Sequence, residues 1–581
     1  MADIRVTIDN IEVTVPEGTT LLDAAKKAGI DVPTLCFLRG VNEIGACRMC
    51  LCEVEGARGL VTACVFPLAD GMVVHTNTPR LIDARKKTLQ LILSNHDTDC
   101  LSCIRNETCE LQALCRKYGV TSTDYYAGLK TESEVDHSSK SIVRDNSKCI
   151  LCRRCISACN NLQSIGVIGA NKRGFDTYVG NTFDLPLAET SCVNCGQCII
   201  SCPTGALHEN DSTAAVKAAI NDPDKFVIVQ AAPSTRVGLG ECFGLPIGTQ
   251  VEKKMSAALH RLGFDRVFDT NFSADLTIME EANELVERVK NGGVLPMITS
   301  CSPGWVKFCE HYYPDLLPHV SSCKSPQQMF GAIAKSYFAE ISGIPKEKIV
   351  SVSIMPCTAK KFELGRDDED ANGVADVDYA LTSRELGRMI NEAGINFMDL
   401  EEMPYDSPLG EYSGAGAIFG ATGGVMEAAL RTAVETLTGE QLQSLDFTDV
   451  RGVAGVKEAT YELPGLTVKV AVASGLANAR KLLDLIRAGK ADYQFIEVMA
   501  CPGGCVNGGG QPIVPSMVRN FIDVRAERAK TLYEIDRNAP VRKSHENPEI
   551  IELYKSYLGK PGSERAHHLL HTHFVERKVN R

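Results

Sequence analysis

Two runs of cysteine constrain this chain more than any other feature. Cys149, Cys152, Cys155 and Cys159 are spaced C-x2-C-x2-C-x3-C, and Cys192, Cys195, Cys198 and Cys202 repeat that spacing ahead of Pro203. Cysteine-dense disulfide scaffolds are short and secreted, whereas these runs sit inside 581 residues with no basic, apolar leader. Metal ligation follows. In paired runs of this spacing the fourth cysteine of each run ligates the other cluster. Cys149, Cys152, Cys155 and Cys202 are therefore expected to hold one [4Fe-4S] cluster, and Cys192, Cys195, Cys198 and Cys159 a second.

Two further sets precede them. Cys36, Cys47, Cys50 and Cys64 read C-x10-C-x2-C-x13-C, with Gly40 and Gly45 in the first interval. One close pair between two wide intervals suits a [2Fe-2S] centre of plant-ferredoxin type, with zinc as the alternative. His96, Cys100, Cys103 and Cys109 form H-x3-C-x2-C-x5-C. One imidazole with three thiolates also fits zinc, but the position between iron-sulfur sets favours a third accessory [4Fe-4S] cluster. Cys52 and Cys115 are surplus and read as small buried hydrophobes.

The organisation along the chain follows these sets, and the expected fold is multi-domain α+β. Residues 1–79 open with alternating Ile4–Ile8 and Glu12–Val15 around Asp9-Asn10, a hairpin, followed by a helix over 20–28 capped by Thr19 or Thr20. This is a β-grasp domain of plant-ferredoxin type. Residues 80–125 are expected to be a helical histidine-cysteine module, and 126–210 a two-cluster module of bacterial ferredoxin type. The polar stretch 129–145 reads as a linker between them. From 211 to 581 long apolar runs alternate with helical segments, which argues α/β layers large enough to bury a cofactor. A net charge of -12 argues against generic nucleic-acid binding, and no apolar run spans a membrane, so a soluble cytoplasmic chain is expected.

Three segments of the last domain carry chemistry: Cys301 in TSCSPGW, Cys357 in MPCTAKKFE, and Cys501 and Cys505 in EVMACPGGCVNGGGQP. Ligands drawn from separated segments place a cluster at the junction of folded layers. The glycines around Cys501 and Cys505 admit backbone close to a bulky inorganic group. No G-x-G-x-x-G fingerprint follows a convincing strand, so nicotinamide chemistry belongs on a partner.

In these motifs the chain resembles the catalytic subunit of iron-only ([FeFe]) hydrogenases, closest to the multi-subunit NAD(P)-linked, electron-bifurcating type, over essentially its whole length to RKSHENP and GKPG. The resemblance implies an H-cluster, a [4Fe-4S] cubane joined through a cysteine sulfur to a diiron unit bearing CO, CN⁻ and azadithiolate. It makes Cys505 the bridging ligand, with Cys501, Cys357 and a residue of TSCSPGW completing the set. It implies a proton path through Glu281, Glu284 and Ser321 with Arg288 at its surface end, and a hydrogen bond from Lys360 to a cyanide. Pro233, Ser234 and Gln327 become contacts to the diatomic ligands, and Met355 and Met499 neighbours of the metal pair. The implied reaction is reversible joining of two protons and two electrons into H2, with a flavin- and iron-sulfur-containing NAD(P)-reactive subunit, a small [2Fe-2S] subunit and ferredoxin as partners.

One departure matters. The family carries a Cys-Cys doublet where this chain has Cys301-Ser302. Strict position gives Cys301 the proton-relay place and Ser302 the ligand place, whereas the softness of thiolate favours Cys301 as ligand and Ser302 as relay. A non-catalytic electron-transfer subunit would use the same N-terminal sets but has no need of the Cys357-Lys360 and Cys501-Cys505 constellations. An H2 sensor of the same fold is the third class.

Overall fold

A computed structural model describes residues 2–121, 130–131, 133–442, 444–463 and 466–579. Residues 122–125 of the second module and positions 129 and 132 of the expected linker lie outside them.

The N-terminal hairpin forms as its alternation requires. Strands β1 (Asp3–Ile8) and β2 (Ile11–Pro16) pair antiparallel with Ile4 opposite Val15 and Val6 opposite Val13. Asp9 and Asn10 both take positive φ, the geometry of a two-residue turn matched to strand twist. Thr20 caps the helix Leu21–Lys27 by accepting from the Asp23 N–H. Strands β3 (Leu51–Val54), β4 (Val61–Thr62) and β5 (Val73–His75) complete a five-stranded sheet in the order β2-β1-β5-β3-β4, with β1 and β5 parallel. Helices Pro79–Ser94 and Glu110–Tyr118 make the next module, and their Leu89, Leu93, Leu111 and Leu114 share a core with Leu35 and Met49 of the first.

The stretch expected to be a linker is partly structured. Strands β6 (Val135–Asp136) and β7 (Ile142–Asp145) join the later β10 (Leu207–Glu209) in a three-stranded antiparallel sheet that closes the two-cluster module. Short β8 (Gly169–Asn171) and β9 (Tyr178–Gly180) pair between them. Polarity misled because β7, the middle strand of this sheet, is only four residues long and buries just Ile142 and Val143.

The large domain holds two sheets. The first is wholly parallel in the order β12-β11-β14-β15: β11 (Phe226–Ala231), β12 (Arg266–Asp269), β14 (Ile349–Met355) and β15 (Tyr379–Thr382). All seven residues of β14 are buried, as expected of a strand covered on both faces. The second runs β13-β18-β17-β16, where β13 (Met297–Ile298), β18 (Phe495–Met499) and β17 (Leu466–Ser474) are parallel and β16 (Val456–Leu463) returns antiparallel. Between the sheets runs the 22-residue helix Thr270–Asn291.

One buried arginine ties four parts of the chain together. Arg154 of the two-cluster module donates to the backbone oxygens of Cys36 (3.3 Å) and Phe37 (3.0 Å) in the first domain, and to both carboxylate oxygens of Glu110 (3.1 and 3.2 Å) in the second. Glu110 in turn accepts from the Ser516 N–H (3.2 Å) and hydroxyl (2.6 Å) in the large domain. Removing one partner of such a pair strands the other as an unpaired buried charge, at a cost of about 3–5 kcal/mol. Arg154→Met is expected to loosen the modules by that amount, read as faster amide hydrogen exchange on both sides of the junction. Adding Glu110→Gln should restore part of the protection.

Candidate active site

In open parallel sheets the binding crevice lies beyond the carboxyl ends of the strands. Both sheets aim those ends at one place: Pro233 and Ser234 follow β11, Cys301 and Ser302 follow β13, Cys357 follows β14 and Cys501 follows β18. They line one pocket that also receives Gln327, Met355, Lys360, Met499 and Cys505. Eleven residues chosen from sequence in five separate segments thus share one wall. Met355 and Met499 are the last residues of β14 and β18, which is why two methionines far apart in sequence meet there.

The donor set fits a cationic inorganic group. Burial pushes the Cys357 and Cys501 thiols up and that of Cys505 up to about 12, and neighbouring thiols push Cys501 and Cys505 the same way. Such thiols ionise only against nearby positive charge, which bound iron supplies. Lys360 Nζ is held at the pocket by Glu363 (2.8 and 3.1 Å) and reaches the Cys301 carbonyl oxygen (3.3 Å). Glu363 also accepts from Gln327 Nε2 and Ser325 Oγ, both at 2.9 Å. Glu363 stands in the quoted motif MPCTAKKFE yet is not singled out by sequence; its spacing of three from Lys360 on one helical turn was the available signal.

Cys301 and Ser302 face different neighbours. Ser302 precedes the helix Pro303–Tyr312, and its Oγ accepts from the Ala500 N–H (3.3 Å), beside Cys501. Cys301 packs with the apolar cluster of Ile278, Ala282, Met499 and Cys505, and its thiol is pushed well up by burial and then by the Glu281 carboxylate.

Three of the glycines are also required by neighbouring backbone. A Cβ on Gly508 would lie 2.1 Å from the Pro356 oxygen, on Gly509 2.4 Å from the Cys195 oxygen, and on Gly510 2.9 Å from the Cys357 nitrogen. The glycines let three backbones touch one another. This brings the loop of Cys195 to the pocket wall, with the Cys501 thiol 3.9 Å from the Cys195 oxygen and Gln197 Nε2 donating to the Asn507 oxygen (2.9 Å). The cysteine set of the second accessory cluster therefore abuts the pocket directly.

Behind Cys301 lie Glu281 and Glu284 of the helix Thr270–Asn291. Burial, reinforced by the Glu284 charge, pushes the Glu281 carboxyl up to about 8. Ser321 Oγ donates to Glu284 Oε2 (2.8 Å), and Arg288 grips Glu284 Oε1 through Nη2 (2.6 Å) and Nε (3.1 Å). Ser321, Glu284 and Arg288 are thus hydrogen-bonded in series, while both Glu281 carboxyl oxygens are buried with no hydrogen-bond partner among the described residues.

The accessory sets also converge. Cys149, Cys152, Cys155 and Cys202 line one small cavity, and Cys159 lies within electrostatic reach of Cys192, Cys195 and Cys198. Buried Lys307 lies beside Cys192, where burial holds its pKa down to about 8. In the first domain the Cys36 N–H donates to Cys47 Sγ and the Cys47 N–H to Cys36 Sγ, each 3.4 Å, with Cys50 and Cys64 sulfurs 3.3 Å apart. His96 is buried with its Nδ1 unpartnered, and burial lowers its pKa to about 4, so a neutral nitrogen is available as a ligand. Cys52 is wholly buried in β3, and burial pushes the half-buried Cys115 up to about 11.

Comparison with known proteins matches these parts one by one. Residues 1–79 match a 2Fe-2S iron-sulfur cluster binding domain, 85–124 the NADH-ubiquinone oxidoreductase-G iron-sulfur binding region, and 148–206 a 4Fe-4S dicluster domain. Residues 225–509 match the C-terminal domain of the iron only hydrogenase large subunit, and 522–577 the iron hydrogenase small subunit. The "NADP-reducing hydrogenase subunit HndD" of Solidesulfovibrio fructosivorans is 50% identical over 100% of both chains. The chain belongs to the iron-only hydrogenase family. "Iron hydrogenase 1" of Clostridium pasteurianum is 44% identical over 97% of this chain and 98% of its own. A solved [FeFe]-hydrogenase, HydA1 from Chlamydomonas reinhardtii, is 44% identical with a TM-score of 0.57, covering 64% of this chain and 100% of that one. This iron hydrogenase is accordingly an oxidoreductase acting on H2, built of an iron-sulfur relay and a catalytic domain. No helix among the described residues is long and apolar enough to cross a membrane.

Proposed function

We propose that this iron hydrogenase is the H2-converting subunit of a cytoplasmic NAD(P)-linked complex, exchanging electrons through one [2Fe-2S] and three [4Fe-4S] clusters with a flavin- and iron-sulfur-containing subunit, a small [2Fe-2S] subunit and ferredoxin. The observation that carries this is the pocket at the carboxyl ends of the parallel strands of both sheets, lined by Cys195 and by Cys301, which is backed by Glu281. Electrons and protons thus have separate approaches to one place. Full-length similarity to an NADP-reducing hydrogenase subunit supports the choice of partner class.

Cys357, Cys501 and Cys505 would hold the H-cluster with Ser302, and Cys505 would bridge to its diiron half. When bound, that group supplies an open metal site and a proximal amine for splitting H2 heterolytically. The chain's own residues do the rest. Lys360, fixed by Glu363, presents an ammonium to an anionic diatomic ligand, with Pro233, Ser234 and Gln327 beside it. Met355 and Met499 keep the metal side dry. Cys301 passes a proton to Glu281, whose carboxyl holds it near neutral pH. Ser321 and Glu284 take it on toward Arg288.

Giving Ser302 the ligand place reverses the choice that thiolate softness favours. The support is directional: Ser302 Oγ sits on the Ala500-Cys501 side, and Cys301 on the Glu281 side. An oxygen ligand is harder than sulfur and favours the more oxidised iron. Ser302→Cys is expected to raise the potential of the pocket's cubane by on the order of 60 mV, a tenfold change in a one-electron equilibrium. A redox titration followed by electron paramagnetic resonance reads the shift. Cys301→Ala should leave that potential in place; loss of the cubane signal in that variant would give the ligand role to Cys301.

The assignment of function is tested by mixing the matured chain with its flavin-bearing partner under H2. Reduction of NADP+ or NAD+ that requires both proteins is the expected result. Reduction of an artificial dye alone, with neither nicotinamide used, would remove the complex from the reading.

A further inference from the structure

Glu284 needs a neighbour that gives up and regains protons near neutral pH, and Arg288 is poorly suited to that work. A guanidinium stays protonated throughout the physiological range. Arg288 is also immobilised, donating to the backbone oxygens of Val294, Pro318, His319 and Val320 as well as to Glu284. It sets the charge of Glu284 more readily than it reloads it.

The other side of Glu284 carries a titratable group. The Ser322 N–H donates to Glu284 (3.1 and 3.3 Å), and the Ser322 hydroxyl is 2.8 Å from His571 Nδ1. A Glu284 oxygen, Cys323 Sγ and a ring nitrogen of His571 lie within 4.8 Å of one another, a span that one hydroxyl or one water bridges. His571 Nε2 faces Glu280 Oε2 at 3.2 Å, and Glu280 is itself fixed by the Tyr554 hydroxyl and the Gly562 N–H. Only 7% of the His571 side chain is exposed, but its ring stacks on that of His567, with centroids 4.7 Å apart, and His567 is exposed. His571 therefore lies within one bridging water of the Glu284 carboxylate and keeps a small exposed edge of its own.

We propose that His571 is the proton-exchanging group between Glu284 and solvent, a second outlet beside Arg288. This rests on reading Glu281 and Glu284 as the proton path. Over one exchange the ring takes up one proton and gives up one, the Glu284 side being served by Nδ1 through a bridging hydroxyl or water, so its charge is unchanged at the end and no electron moves. The charged and titratable groups around the ring are Glu280, Glu284, Arg288, Cys323, Tyr554 and His567. Sequence gave no hint of this, because His571 stands some 290 residues from Glu284 and in a different matched segment.

The test uses the full matured chain with a viologen dye. His571→Gln keeps a hydrogen-bonding side chain but cannot titrate. Its H2 turnover should fall about 10-fold, less than the loss of an entire acid-base group because the Arg288 side remains. Its solvent deuterium isotope effect should rise, while the infrared bands of the cofactor stay in place. His571→Ala should be partly restored by added imidazole. Wild-type turnover, isotope effect and pH profile in His571→Gln would overturn the proposal, as would a loss in His571→Ala that imidazole leaves untouched, which would make His571 only a positioning residue for Glu284. A wild-type chain without H2 turnover would instead overturn the proton path beneath it.

Discussion

Cys505→Ala is expected to carry H2 turnover back toward the uncatalysed rate, a loss of at least about 10^6-fold. The cause is local. Cys505 lies between Gly504 and Val506 at the meeting point of both sheets, where a Cβ on Gly504 would already strike the Thr422 nitrogen at 2.6 Å. No other thiol can swing into its place through so crowded a backbone. The accessory sets lie in other modules and keep their own cysteines. The variant should retain the electron paramagnetic resonance signals of the [2Fe-2S] and accessory [4Fe-4S] centres while losing those of the diiron half. Retained turnover would move the bridging role to another residue.

Glu281→Gln is expected to lower turnover by roughly 10^2 to 10^4-fold with the cofactor's infrared bands intact, since an amide fills the same space and cannot pass a proton. The same variant reports a stability effect with a fixed sign. The folded carboxyl is raised from 4.5 to about 8, so between those values the folded chain binds a proton that the unfolded chain has released. Wild-type stability must therefore fall as pH rises from about 4.5 through about 8. Glu281→Gln lacks this term, so its thermal midpoint should decline less than that of wild type over the same interval. Equal slopes would mean that Glu281 is charged in the fold.

Much of this was legible in the residues because ligand spacing is a local property. The C-x2-C runs, the N-terminal hairpin and the Thr20 cap all depend on residues within a few positions of one another. The pocket was legible for another reason: its three motifs each end a parallel strand, so separate short signals point to one layer junction. What sequence hid depends on long-range contact. The strand at 142–145 is paired by β10 from some sixty residues away, and β6 pairs on its other side. The glycines at 508–510 answer to Pro356, Cys195 and Cys357, none of them neighbours in the chain. Which way Cys301 and Ser302 face is set by Glu281 on one side and Ala500 on the other, and no spacing rule reports that.

Infrared spectroscopy of the full-length chain after maturation with the diiron cofactor bears on the central claim most directly. Sharp carbonyl and cyanide stretching bands that shift when argon is exchanged for H2 are the predicted result. A spectrum without those bands, in a protein whose accessory clusters are fully loaded, would contradict it.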